Sequence, residues 1–166
     1  RAELKQEPAN EEIKKELTSD KFLRHTNNGN NELYIITYHD SPNIMREIGR
    51  LREVTFRAAG GGTGKDLDLD KFDYSEEPYR QLISWDPIEE EILGGYRYKV
   101  CDAQSKPEEL ATYKLFHFSD KFINEYLPYT IELGRSFIQP HFQSTGNTRK
   151  TLYALDNLWD GLGALV

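Results

Sequence analysis

Apolar and polar positions alternate along this chain in a way that marks out most of its elements. Ile13 and Leu17, with Phe22 further on, share one side of a stretch whose other side is Lys14, Lys15 and Glu16. That pattern predicts an amphipathic helix over residues 10–25. Asn27-Asn28-Gly29-Asn30-Asn31 is turn chemistry and ends it. Leu33 to Tyr38 is dense in β-branched and aromatic residues and predicts a strand. Ser41-Pro42 opens a helix, with serine as the N-cap and proline at the first position. Ile44, Ile48, Leu51 and Val54 carry that helix at helical spacing to about Ala59. Gly60-Gly61-Gly62-Thr63-Gly64 stops it and predicts a mobile loop, a flexible linker or gate. Strands are expected at 79–85 and 91–100, joined as a hairpin after Asp86-Pro87, and at 130–138 before Pro140. Residues 108–126 have no consistent period and read as a short strand or helix followed by a helical turn, and Thr148 to Leu165 predicts a helix with Leu152, Leu155, Leu158 and Trp159 on its apolar face. Hairpins mixed with a strand that leads into a helix predict an α/β (α+β) domain with a mixed sheet.

Composition narrows the classes. The chain has 166 residues, enough for one domain and a sizeable core. Its net charge of −7 argues against non-specific binding to nucleic-acid phosphates. Cys101 is its one cysteine, so an intrachain disulfide is excluded. His25, His39, His117 and His141 lack metal-ligand spacing, so no metal is expected. No apolar run approaches the ~18 residues of a membrane helix. The chain begins Arg1-Ala2-Glu3 and ends inside an apolar stretch, which predicts a piece of a longer protein.

Several motifs invite chemistry. Gly60 to Lys65 suggests a phosphate loop, but Ala59 and Asp66 stand where that motif needs Gly and Ser or Thr. Asp66, Asp68 and Asp70 alternate like a calcium loop, but Lys71 stands where its glycine belongs. The bland reading is a solvated acidic loop, and a third is pairing with upstream arginines. Those are Arg46, Arg50, Arg52 and Arg57, either a solvated helix face or a basic landing strip for an acidic partner. Glu132-Leu133-Gly134-Arg135 places two charges in an apolar strand. They can reach one pocket only if the strand bulges, with Gly134 the expected place, and a structural ion pair fits as well.

Four segments together resemble one family: Leu51-Arg52-Glu53-Val54-Thr55-Phe56, Asp68 to Asp73, Gly94-Gly95-Tyr96-Arg97 and Glu132 to Ser136. They are similar to the GNAT acyltransferases of the branch that holds acyl-homoserine-lactone synthases and ornithine- and glycine-lipid N-acyltransferases. The likeness is greatest to Bacteroidetes members often labelled hemolysins, and it covers residues from about 33 to 166. It implies a GNAT domain over 32–166 behind an N-terminal helical extension, 1–31, and a further strand after the last helix that completes the donor cleft. It implies fatty acyl transfer from acyl carrier protein to the amine of ornithine or glycine, with no bound cofactor. Matching positions make Glu132 the candidate general base, with Arg135 and Arg97 as catalytic partners. Arg52, Phe56, Asp70, Asp73 and Ser136 are the candidate substrate-binding residues. The implied location is cytoplasmic, at the inner face of the membrane through the lipid product. Two alternatives remain open: transfer from a short acyl-coenzyme A, and a non-catalytic domain of a larger lipid enzyme.

Overall fold

The computed structural model describes residues 10–27, 29–139, 156 and 158–165. Helix α1 (Asn10–Glu16) precedes strands β1 (Phe22–His25) and β2 (Glu32–Ile36). Helix α2 (Pro42–Ala58) and the short α3 (Lys71–Tyr74) lead to β3 (Arg80–Asp86) and β4 (Glu91–Val100). A long connection with turns at Pro107–Glu109, Phe122–Tyr126 and Leu127–Tyr129 reaches β5 (Ile131–Ile138). The strands form one sheet in the order β1-β2-β3-β4-β5.

Every pairing among the described residues is antiparallel, where the sequence pattern predicts a mixed sheet. The reason is connectivity: among the described residues, the connection through α2 and α3 returns β3 antiparallel beside β2 and does not cross over to a parallel neighbour. The α+β class stands. Close packing at the centre of the sheet requires Gly94 and Gly95. A Cβ on Gly94 would lie 2.6 Å from the Phe137 carbonyl oxygen, and one on Gly95 would lie 2.6 Å from that of Leu82.

Two apolar layers flank the sheet, as alternating side chains demand. Ile36, Ile83, Trp85 and Phe137 pack with Ile44, Met45 and Ile48 of α2 and with Ile13 of α1. On the other face, Leu33, Leu82, Tyr96 and Ile138 pack with Leu158 of the helical residues 158–163. Trp159, expected on the apolar side, is 65% exposed. The earlier part of that predicted helix, with Leu152 and Leu155, lies outside the described residues, as does Pro140.

The helix predicted over 10–25 ends at Glu16 instead. Phe22 and its neighbours join the sheet, with Phe22 opposite Tyr34, because strand pairing outweighs the weak helix preference of a short segment. Glu16 then acts at a distance. Its carboxylate accepts from the Asn43 N–H at 3.1 Å and the Ile44 N–H at 2.7 Å. It therefore caps α2 where Ser41 was expected to, since the Ser41 hydroxyl donates to Asp40.

The glycine loop is tied down. Glu53 on α2 accepts from the Thr63 N–H (3.0 Å), the Thr63 hydroxyl (2.7 Å) and the Gly64 N–H (2.9 Å). The positive φ angles of Gly60, Gly62 and Gly64 let the backbone wrap around that carboxylate. A gate needs a loop with few internal bonds, and this one closes on a buried acid.

Candidate active site

Arg52, on α2, is fully buried. Its Nη1 donates to Asp73 Oδ2 at 3.1 Å and to the Asp68 carbonyl at 3.3 Å, and its Nη2 donates to Gln81 Oε1 at 2.8 Å. Gln81 completes the ring by donating Nε2 to Asp73 Oδ1 at 3.0 Å. Arg97, on β4, donates Nη1 to Asp70 Oδ1 at 2.7 Å and to Asp73 Oδ2 at 3.2 Å. Arg135, on β5, donates to both oxygens of Asp68, at 3.0 and 2.8 Å. Three guanidinium groups thus meet three carboxylates, and paired charge makes the burial tolerable.

The acidic loop is therefore neither a calcium site nor a solvated run. Asp68 and Asp70 pair with the downstream arginines Arg135 and Arg97, the upstream Arg52 takes Asp73 just beyond them, and Asp66 is exposed. Helix α3 makes this possible: Asp70 caps it through the Phe72 N–H, while Asp73 accepts from the Asp70 N–H. Burial works against the Asp70 carboxylate, yet hydrogen bonding and charge from Arg97 hold it below the ordinary value. Burial likewise lowers Arg52, with Asp73 opposing. For Arg97, burial is outweighed by Asp70 and Asp73, which hold the guanidinium above its ordinary value.

The basic landing strip does not form as expected. Arg50 forks onto Glu47, Arg57 pairs with Glu53 and Arg52 is sealed inside. Most of the charge on that helix is spent within the domain; Arg46 and the paired Arg57 are the exposed members of the set.

The bulge is present one residue beyond Gly134. Gly95 pairs with Phe137 and Arg97 with Gly134, so Tyr96 faces both Arg135 and Ser136. Arg135 takes a φ of 51° there. That conformation costs a non-glycine residue roughly 1–2 kcal/mol, which the paired Asp68 offsets.

Glu132 does not meet Arg135. It sits opposite Lys99, three residues back along β5, and is 9% exposed. Its Oε1 accepts from the Tyr79 hydroxyl at 2.5 Å and the Ala111 N–H at 3.1 Å. Its Oε2 accepts from the Thr112 hydroxyl at 2.5 Å and the Thr112 N–H at 3.3 Å. Tyr79 links it to the cluster, because the Arg97 guanidinium lies 5.5 Å from the centre of the Tyr79 ring. Burial and the bond to Glu132 push the Tyr79 phenol up, so it stays a donor.

The opposite face of β5 carries an apolar cavity of about 330 Å³, lined by Tyr96, Leu133, Ser136, Leu158, Trp159 and Leu162 among others. Arg135 and Gly134 also line it, so cavity and cluster meet at the bulge. Phe56 is partly buried one turn beyond Arg52 and does not line this cavity. Tyr79, Gln81, Phe72 and Thr112 were not singled out from the sequence. Gln81 had a signal, a polar residue heading an apolar strand, while Thr112 lies in the segment without a period.

Residues 51–153 match the family described as Acetyltransferase (GNAT) domain. The chain belongs to the GNAT acetyltransferase family. As a GNAT domain it is also similar to two longer proteins. It is 60% identical over 163 residues to a glycine N(alpha)-acyltransferase of Phocaeicola vulgatus, covering 95% of this chain and 50% of that protein. It is 61% identical over 158 residues to a glycine N(alpha)-acyltransferase of Bacteroides thetaiotaomicron, covering 92% of this chain and 47% of that protein. The chain thus spans about half the length of these relatives. A further similarity, 31% over 120 residues, reaches 22% of a phosphoenolpyruvate carboxykinase (ATP) of Staphylococcus aureus, too small a share to assign a family. No solved structure matches.

Proposed function

We propose that this domain serves an N-acyltransferase that moves a fatty acyl group from a thioester to the amine of glycine. The observation that carries this reading is the bulge at Arg135, where an apolar cavity on one face of β5 meets the charged cluster on the other. The cavity suits an acyl chain. The cluster suits a small zwitterion, because Arg135 and Asp70 are both about one-third exposed and offer both signs of charge. The names of the two relatives favour glycine as acceptor.

In the proposed step the neutral amine attacks the thioester carbonyl carbon. The C–N bond forms, the C–S bond breaks, and the sulfur leaves as a thiolate that takes up the second proton the nitrogen sheds as it becomes an amide. An ammonium must first lose a proton, and Glu132 is the proposed acceptor. Where β-bulges interrupt the ladder, backbone amides are left unpaired, and such amides at the bulge would stabilise the oxyanion. Arg97, Asp70 and Asp73 shape the acceptor side. Arg52, sealed behind them, acts by fixing Asp73. Ser136 lines the donor side. The proposed donor is acyl carrier protein, and the proposed place of action is the cytoplasmic face of the membrane into which an acylated amino acid partitions.

The test uses the full-length protein with carrier-protein and coenzyme A thioesters of several chain lengths and a panel including glycine and ornithine. Mass spectrometry should show N-acylglycine, formed faster from the carrier-protein donor. Absence of any acylated amino acid with either donor would overturn the reading.

A further inference from the structure

The proposed reaction asks Glu132 to take a proton, yet its carboxylate has no vacant lone pair. A carboxylate offers about four acceptor sites. Here Tyr79, Ala111 and Thr112 fill them all, Thr112 with both its N–H and its hydroxyl. An amine bonding directly to Glu132 would have to displace one of these donors.

The four donors differ in what they can do. The two backbone N–H groups cannot pass a proton on. The Tyr79 hydroxyl belongs to a residue 4% exposed and already accepts from the Ala111 N–H at 2.9 Å. The Thr112 hydroxyl belongs to a partly exposed residue, and among the described residues no hydrogen bond donates to its oxygen. It alone can give a proton to Glu132 while accepting another from outside. Its position is well held. Leu110, two residues earlier, is buried with Cys101 and Leu127, and the Ala111 and Thr112 amides are anchored on Glu132 itself.

We propose that Thr112 is a catalytic residue that touches the acceptor amine and relays its proton to Glu132. This rests on the reading of Glu132 as the base. The ammonium N–H bond breaks as Thr112 Oγ1 takes that proton, and the Thr112 O–H proton passes to Glu132 Oε2. Thr112 ends as a hydroxyl, Glu132 as a neutral acid, and the nitrogen holds the electron pair that attacks the thioester. Glu132 later returns the proton to solvent along the same path.

The experiment compares the full-length protein with its Thr112→Val, Thr112→Ser and Glu132→Gln variants, using an acyl thioester and glycine. Valine keeps the volume and the backbone bond to Glu132 but removes the hydroxyl. Thr112→Val should lower kcat by about 10²-fold, within the range of a lost proton-transfer group, with KM for the thioester unchanged. Thr112→Ser should stay within a few-fold of the unmodified protein. The Thr112→Val deficit should shrink as pH rises, because an amine already neutral in solution needs no relay. A deficit that is constant across pH, or that tracks a fall in Tm, marks a structural role and overturns the proposal. Unchanged kcat in Thr112→Val with loss in Glu132→Gln overturns the relay and leaves the base standing. Unchanged kcat in both variants overturns the base and the relay together.

Discussion

Arg52 is surrounded on every side by the domain, and such a residue survives burial only through its partners. Its Nη atoms find Asp73, Gln81 and a carbonyl, while its Nε has no partner among the described residues. Removing Asp73 would leave Arg52 charged in a low-dielectric interior and deprive Arg97 of a second contact. Asp73→Ala should therefore destabilise the fold by about 3–5 kcal/mol, as breaking a buried pair usually does. Arg57→Ala is the contrast. Arg57 is 46% exposed, and its partner Glu53 keeps Thr63 and Gly64, so the loss should stay below about 1 kcal/mol. Urea denaturation of the two variants separates the cases, and equal losses would contradict this account of the cluster. From the sequence, Arg52, Arg97 and Asp73 stood out through a family likeness. Pattern alone could not assign them, because pairing among residues 52, 73, 81 and 97 is decided by tertiary approach. Glu132 was legible as a buried charge, but its partners were not, since Ala111 and Thr112 lie in a segment with no period.

Strands and the long helix were readable because their apolar spacing is strong: β2, β3, β4, β5 and α2 all fall where the pattern puts them. Elements stabilised by distant groups were not readable. Helix α1 is short because Glu16 turns away to cap α2, and β1 forms because β2 offers it a partner. The glycine loop shows the same limit, since composition reads as freedom and Glu53 supplies the constraint. That constraint is pH-dependent. Burial opposes ionisation of Glu53, but the Thr63 amide and hydroxyl, Arg57 and the Gly64 amide outweigh it and lower its pKa from 4.5 to about 2. A carboxyl depressed in the fold contributes stability above its unfolded pKa and loses it as pH falls through the folded one. Glu53→Gln should thus have a lower Tm than the unmodified chain at neutral pH. The gap should narrow as pH drops from 4.5 toward 2. Thermal melts by circular dichroism across that range test this, and a gap independent of pH would mean that the carboxylate's charge does not hold the loop.

For the molecule as a whole, the sheet works as a partition. Charged groups gather on the α2 face and cancel among themselves, while the other face carries the apolar cavity beside Leu158 and Trp159. The two sides communicate at the bulge of β5, the last strand of the sheet among the described residues. This division predicts that chain-length selectivity and acceptor chemistry can be altered separately. Leu133 is 37% exposed and lines the cavity, next in sequence to Glu132 but directed to the opposite face. Leu133→Trp would fill part of a cavity of about 330 Å³ without touching the arginine–aspartate cluster. Losing room for even one methylene is worth about 10-fold or more in kcat/KM. The variant should therefore lose at least about 10-fold toward long acyl thioesters while acetyl transfer stays near its original rate. Parallel assays with acetyl, octanoyl and palmitoyl donors on the full-length protein decide the matter. A uniform loss across chain lengths would show that Leu133 supports the fold and that the acyl chain lies elsewhere. A graded loss that leaves KM for glycine unchanged would place the chain on the apolar face and the amine on the charged one.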